Sequence, residues 1–483
     1  MPLRFELSVR RFRLGIGDPA SEGIGDPASG VDRSAKPAGV RVEEAGGSSI
    51  VPMNIDRIGI VGTGLAGLRA AAELREAGFA GSIVAWDAEG TPPYDRPPLS
   101  KNLFDSPVRP LADQGLGDLA SLGADVVPHP VERLRRGDGA WLVNDTPVDA
   151  AIIASGSSPR IGAPGAFALH TAADALRLAD SLAPGVRLDI VGAGWIGTEL
   201  ASVASAVCEV HLWESSLHIL GRTFGGAVDD LWSGWLDDAG VSLHLGQKWP
   251  IDGESAEGSQ SGPTEGPASS AGQTPRPPNR PSTPKRRVLV QAVGAAPSFP
   301  AIEPAVDVGV RGALVTDMWT QVLRNGQPVE GLYAVGDCAD AVTPHGPRKG
   351  GHWTKALTDG AFTAAAVCGG KPPRFLAPPE VFSAQFGRQI GFVGAIPGLA
   401  EGVPGRADGA RGSADGAYEG PSPDLEGPSR GASNAGGILG GERIDTAEGL
   451  VIRWEKAGEL AALLAIDSPR ELSRARKTLR VKL

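Results

Sequence analysis

Cysteine is scarce in this 483-residue chain: Cys208, Cys338 and Cys368 are its three, with no C-x-x-C pair among them. Neither they nor the seven histidines fall at metal-ligand spacing, which argues against a dithiol relay or a zinc site, and no metal is expected. So few thiols fit a reducing compartment. Long apolar runs are also missing. None approaches the roughly 20 residues that span a bilayer. The Arg-bearing start (Arg4, Arg10, Arg11, Arg13) leads into no signal-peptide core, and Glu6, Asp18, Glu22 and Asp26 speak against a transit peptide. These absences predict a cytoplasmic protein that uses no membrane. Positive charge is the third shortage: 46 Lys and Arg face 56 Asp and Glu, a net charge of -10. That balance argues against a nucleic-acid partner or a polybasic membrane surface, so an acidic partner would need a local basic patch.

The chain is long enough for two or three domains, and its 41% hydrophobic residues describe a globular protein. The 68 Gly and 41 Pro concentrate in a few tracts. Residues 15–30 carry GIGDPASE followed by GIGDPASG, a repeat too short and polar to pack. Residues 1–53 are therefore expected as a disordered N-terminal extension, with Met53 an alternative start. Residues 252–286 and 398–441 lack apolar periodicity and are expected as disordered inserts, which a surface loop tolerates at about 0.6 kcal/mol per doubling of its length.

Two segments carry one device. Residues 57–61 (RIGIV) read as a strand, Gly62-Thr63-Gly64-Leu65-Ala66-Gly67 as a turn opening a helix, and Ser82–Trp86 as a second strand ending at Asp87. The construction recurs in residues 187–191, then Gly192-Ala193-Gly194-Trp195-Ile196-Gly197, a helix, a strand over residues 209–213 and Glu214. In such a unit the first Gly permits the turn, the second lets amides approach a pyrophosphate, and the third lets helix and strand close up. The acid about 20 residues on accepts from a ribose diol. A carboxylate at Glu214 favours NADH, because it would repel the 2'-phosphate of NADPH.

Three further stretches complete a pattern: Tyr94-Asp95-Arg96-Pro97-Pro98-Leu99-Ser100-Lys101, Ile152-Ile153-Ala154-Ser155-Gly156, and Gly331-Leu332-Tyr333-Ala334-Val335-Gly336-Asp337. With them the chain resembles the FAD-dependent pyridine nucleotide reductases, in particular the ferredoxin, rubredoxin and putidaredoxin reductase branch, to which apoptosis-inducing factor is related. The resemblance implies an α/β fold of two Rossmann-like dinucleotide-binding domains plus a smaller α+β C-terminal domain. Residues 54–163 and 300–370 would form the FAD domain, 164–299 the NAD domain, and 371–483 the third. FAD would contact Gly62, Gly64, Gly67, Asp87, Arg96, Lys101, Gly156, Gly336, Asp337 and Trp353; NADH would contact Gly192, Gly194, Gly197 and Glu214. Asp337 would accept from a ribityl hydroxyl.

By residue type alone Lys101 and Glu199 would be solvated surface charges. The resemblance instead pairs them beside the flavin and, with Trp353, makes them the catalytic candidates. Several positions depart from the pattern: Ser155 stands for Thr, Gly351 for an acidic residue, Asp359 for Gln, and Val381-Phe382-Ser383-Ala384-Gln385 for Phe-Trp-Ser-Asp-Gln. The implied activity is transfer of a hydride from NADH to FAD, then of single electrons to a [2Fe-2S] ferredoxin-type protein serving an oxygenase, by a monomer or homodimer. Arg348, Lys349 and Arg388 are candidate docking charges, with Arg474, Arg476, Lys477 and Arg480 behind them. Two alternatives stay open, an NADH-sensing flavoprotein with slow turnover and an NADH oxidase-type flavoenzyme.

Overall fold

A computed structural model describes residues 55–250, 286–399 and 441–483. The N-terminal repeat and nearly all of both proposed inserts lie outside them. Of the tract ending at 286, only Arg286 is described, and it opens a strand (Arg286–Gln291) in register with Val186. Gly398, Leu399 and Gly441 are the described margins of the other tract.

Apolar β-branched runs become the centres of parallel sheets, where both faces are covered. Arg57–Val61 is buried from Ile58 onward, and it is flanked in parallel by Ser82–Trp86 and Ala150–Ile153. Ala124–Val127 and Gln327–Ala334 extend this sheet in parallel on its two sides. Three antiparallel-linked strands and a parallel one beyond Gln327–Ala334 bring the total to nine. A second, wholly parallel sheet has the order Ser242–Leu245, Glu209–Glu214, Val186–Val191, Arg286–Gln291. The third main sheet is a five-stranded antiparallel meander of Glu380–Gln385, Arg388–Gly394, Glu459–Ile466, Leu450–Lys456 and Glu442–Asp445.

The helices that follow the glycine turns, Leu65–Glu76 and Trp195–Ala204, return each chain to its sheet. The first lies against the long helix Trp353–Cys368, so closely that a Cβ on Gly360 would sit 2.8 Å from the Ala70 nitrogen. The second lies against the meander. Phe224 is 5.0 Å from Phe392 and 6.1 Å from Trp454 between ring centroids, and Trp195 meets Phe224 edge-on at 5.8 Å. Aromatic pairs of this kind add about 0.5–1.5 kcal/mol each beyond the area they bury. One apolar core thus runs from the second sheet into the meander. No helix among the described residues is long and apolar enough to cross a membrane.

Candidate functional site

The two glycine turns superimpose in their logic atom by atom. Gly62 has φ +104° and Gly192 φ +108°, a region L side chains avoid. A Cβ on Gly62 would lie 2.5 Å from the Ala154 carbonyl oxygen, and one on Gly192 2.5 Å from that of Ala292. Gly67 and Gly197 press onto the turn itself, where a Cβ would stand 2.0 and 1.9 Å from the oxygens of Gly62 and Gly192. Gly64 and Gly194 are different. Nothing lies within 4 Å of a Cβ built on either, yet each N-caps its helix without a side-chain cap. The outer glycines therefore satisfy the backbone, whereas the middle ones leave open space in front of uncapped amides at the positive end of a helix. That is a pyrophosphate cradle in both places.

Each cradle has its acid. Asp87 is nearly buried and its Oδ1 accepts from Glu89 N at 3.0 Å. Glu214 lies over its own turn: Oε2 accepts from Ala193 N at 2.9 Å and Oε1 from Ser216 N at 2.8 Å. An ionised carboxylate has about four acceptor positions, so both retain capacity for a ribose diol.

Between the cradles the chain gathers a buried polar junction. Lys101, at the end of the short helix Pro98–Lys101, places Nζ 3.7 Å from Glu199 Oε1 on the second glycine helix, and also donates to the Phe382 carbonyl of the meander. Ser383 Oγ donates to Glu199 Oε1 at 2.6 Å, and Ser100 Oγ donates to Oε2. Gln385 in turn donates to Ser383 at 2.9 Å and accepts from Trp232 Nε1 at 2.9 Å. Burial raises the Glu199 carboxyl above its ordinary value, against the pull of Lys101 and of the two serine hydroxyls. Lys101 and Glu199 thus form an ion pair. Sequence reasoning missed Ser100, Ser383 and Gln385, although Ser383 and Gln385 are the two positions of their stretch that keep the pattern.

Trp353 opens the long helix half-buried, and its indole nitrogen donates to Asp95 Oδ1 at 3.0 Å, tying the His-Trp stretch to the Tyr94 stretch. Burial raises the Asp95 carboxyl, with the Trp353 bond opposing. Arg96 pairs with Glu89 and donates to the His170 carbonyl. Gly156 has φ +72° and its carbonyl accepts from Ser298 N at 3.0 Å. Gly336, φ +75°, faces the first glycine helix, where a Cβ would meet Ala66 Cβ at 2.8 Å. Asp337 follows it, and its Oδ1 accepts from Gly351 N at 2.8 Å.

The glycines that depart from the pattern have a local reason. A Cβ on Gly350 would lie 2.6 Å from the Asp337 carbonyl oxygen, and Gly351 has φ +98°. Next to them the His352 Nδ1 and Thr354 Oγ1 atoms are buried without a hydrogen-bond partner among the described residues, polar capacity that a bound ligand could use.

One expectation needs correcting. Arg348 is no docking charge: its side chain is 12% exposed and Nη2 lies 3.1 Å from Asp359 Oδ1, because a fully buried carboxylate draws it inward. Arg388 reaches Asp467 at 3.8 Å and covers the Trp235 ring, and Arg476 pairs with Glu380 over the Phe382 ring. Burial pushes the Cys208 and Cys338 thiols up to about 11, and all three cysteines are free.

Two open, uncapped glycine turns, with Glu199 of the Lys101–Glu199 pair on the helix of the second, define the class as a dinucleotide-binding protein. Residues 56–360 match the pyridine nucleotide-disulphide oxidoreductase family, and the chain belongs to it. It is 33% identical over 220 residues to the benzene 1,2-dioxygenase system ferredoxin–NAD(+) reductase subunit of Pseudomonas putida, which covers 42% of this chain and 52% of that protein. The chain thus spans about half the length of that relative. With the rubredoxin–NAD(+) reductase of Ectopseudomonas oleovorans it shares 28% identity over 357 residues, 70% of this chain and 86% of the other. Among solved structures, the covalent putidaredoxin reductase–putidaredoxin complex is similar with a TM-score of 0.62 at 20% identity, over 87% of this chain and 92% of that one, a likeness of fold.

Proposed function

We propose that this protein is an NADH-dependent flavoprotein reductase that passes single electrons to a ferredoxin-type [2Fe-2S] protein, itself serving an oxygenase. The observation that carries this reading is the pair of open, uncapped glycine turns joined by the Lys101–Glu199 junction. The first turn, with Asp87, Arg96, Gly156, Gly336, Asp337 and Trp353, is assigned to FAD, and the second, with Glu214, to NADH. Residues 54–163 and 300–370 then form the FAD domain, 164–299 the NAD domain and 371–483 the third. A bound flavin supplies the redox chemistry, taking up a hydride and releasing electrons one at a time.

The residues' own work is placement. The helix amides behind Gly64 and Gly194 hold phosphates, and Asp87 and Glu214 orient riboses. Glu199 pairs with Lys101, and Ser100 and Ser383 hold that carboxylate in position. Alignment of the two rings is what converts a bimolecular transfer into an oriented one. The buried Cys338 and the part-buried Cys208, both with thiols pushed up to about 11, speak against a thiol-based oxidase reading, since the thiolate is the reactive form. The relatives named for ferredoxin and rubredoxin support the choice of acceptor, and three free thiols support a cytoplasmic setting. Stopped-flow mixing of the purified yellow protein with NADH, then with a [2Fe-2S] ferredoxin and cytochrome c, tests it. Bleaching of the flavin by NADH in preference to NADPH, followed by ferredoxin-dependent cytochrome reduction, is expected; protein that holds no flavin, or flavin that NADH leaves oxidised, overturns it.

A further inference from the structure

Behind the Gly336–Asp337 turn lies a set of charges that hydride transfer does not use. Asp359 is fully buried, Lys355 is 5% exposed, and the Arg348 side chain is 12% exposed. Lys355 pairs with Asp359 one helical turn away, and its Nζ also donates to the Gly336 carbonyl at 3.2 Å. Asp359 Oδ2 accepts from Gly336 N at 3.0 Å, while Oδ1 faces Arg348 Nη2 at 3.1 Å. Both polar groups of Gly336 are therefore gripped by one ion pair. Arg348 stacks over Phe362, with its Nη1 buried and lacking a hydrogen-bond partner among the described residues.

Apolar residues of similar volume often replace a buried ion cluster without loss of stability, so packing alone does not call for one here. What it grips is informative. Gly336 has φ +75° and is wedged against Ala66 in the first turn of the glycine helix, and the next residue is Asp337. Two cations share one carboxylate, so the cluster carries a positive charge that Asp359 does not balance. In a buried setting of low dielectric that charge acts over a longer distance than at the surface.

We propose that Lys355, Asp359 and Arg348 are positioning residues for the flavin nucleotide: they clamp the turn that presents Asp337, and their surplus positive charge favours the electron-rich, reduced cofactor. This rests on the flavoprotein reading above. The chemistry explains why Lys355 and Asp359 occur together. Without Asp359, Lys355 and Arg348 would both be left as uncompensated charges in the core.

The test uses the full chain with Lys355→Met, and the neutral double variant Lys355→Gln with Asp359→Asn, which keeps hydrogen-bonding groups on Gly336 and is the safeguard should the single variant not fold. Three quantities are read: amide exchange of residues 335–338 in protein stripped of flavin, FAD affinity by fluorescence titration, and the flavin midpoint potential. Lys355→Met is expected to speed exchange at Gly336 and to weaken FAD about tenfold, with Lys355→Arg restoring both. The double variant is expected to hold FAD within about threefold of the parent at an unchanged potential, because the clamp remains and Arg348 still carries the surplus positive charge, whereas Lys355→Gln alone, which removes that surplus and keeps a donor for the Gly336 carbonyl, is expected to lower the potential. Unchanged exchange in Lys355→Met overturns the clamp, and an unchanged potential in Lys355→Gln overturns the charge effect. If the parent holds no flavin, the functional reading fails, and the exchange measurement still judges the clamp on its own.

Discussion

The first and second glycine turns share a backbone and differ in everything packed around it. In both, a positive-φ glycine abuts an alanine carbonyl, a third glycine closes on the first, and the middle glycine faces open space. The first helix is then covered by another helix carrying a buried charge cluster, the second by an antiparallel meander carrying aromatics and serine hydroxyls. The common part is what any pyrophosphate demands of a backbone. The different part decides which dinucleotide sits there and what its reactive end meets, so a repeated motif marks where ligands bind while its surroundings set their roles.

The largest expected effect would break that equivalence outright. Gly64→Glu should leave a folded protein without flavin, and Gly194→Glu a yellow protein that NADH no longer bleaches, because each puts a carboxylate in a cradle with no neighbour within 4 Å to clash. Absorbance of the purified variants and stopped-flow reduction distinguish them, and swapped phenotypes would reverse the two assignments.

Next in size is the junction between the turns. Glu199→Ala strands a Lys101 ammonium that is 16% exposed, and should cost about 3 kcal/mol in a denaturant melt, the low end for a broken buried pair since Lys101 also bonds the Phe382 carbonyl. Glu199 adds a pH signature. Its folded carboxyl holds its proton above the ordinary value of 4.5, whereas the unfolded chain releases it there. The folded state then binds more protons in the window just above pH 4.5, so this residue's contribution to stability is full below that pH and is lost as pH rises. Glu199→Gln should flatten that slope in melts across pH 4 to 7, and an unaltered slope would remove the burial argument.

A smaller effect sharpens the first turn alone. Trp353→Phe removes the bond to Asp95 and leaves a half-buried carboxylate unsatisfied, for about 1–3 kcal/mol. Ferredoxin-dependent cytochrome reduction should slow several-fold while flavin reduction by NADH stays within about twofold. Equal slowing of both half-reactions would place Trp353 on the nicotinamide side.

The smallest concerns thiols. With Cys338 and Cys208 at about 11, their thiolate fraction at pH 7 is on the order of 10⁻⁴, and iodoacetamide should label exposed Cys368 first. Replacing all three by Ser should leave turnover within about twofold.

Much of this was legible beforehand. Strand, turn, helix and acid appear in order along the chain, so Gly62 to Asp87 and Gly192 to Glu214 could be read as units, and the helices start within a few residues of where the pattern puts them. Lys101 and Glu199 could be paired through resemblance. Arg348 was misjudged because exposure of a cation depends on which carboxylate it meets, and Asp359 lies 11 residues away on a helix whose buried face is set by the Leu65–Glu76 helix. Ser383, Gln385 and Trp232 escaped notice for a similar reason: their bonds cross from the meander to the second sheet's helices, over more than 150 residues.

Local backbone chemistry, then, is written in the sequence. A positive φ, as at Gly62 and Gly192, or a clash with the carbonyl five residues back, as at Gly67 and Gly197, leaves glycine as the residue that fits, and such requirements repeat wherever the same turn is made. Which charges are buried, and against what, depends on how three sheets come together. Burial energies depend on the partner brought up from far along the chain, and neither Lys355 nor Asp359 carries in its own neighbourhood any sign of the Gly336 peptide that both of them hold.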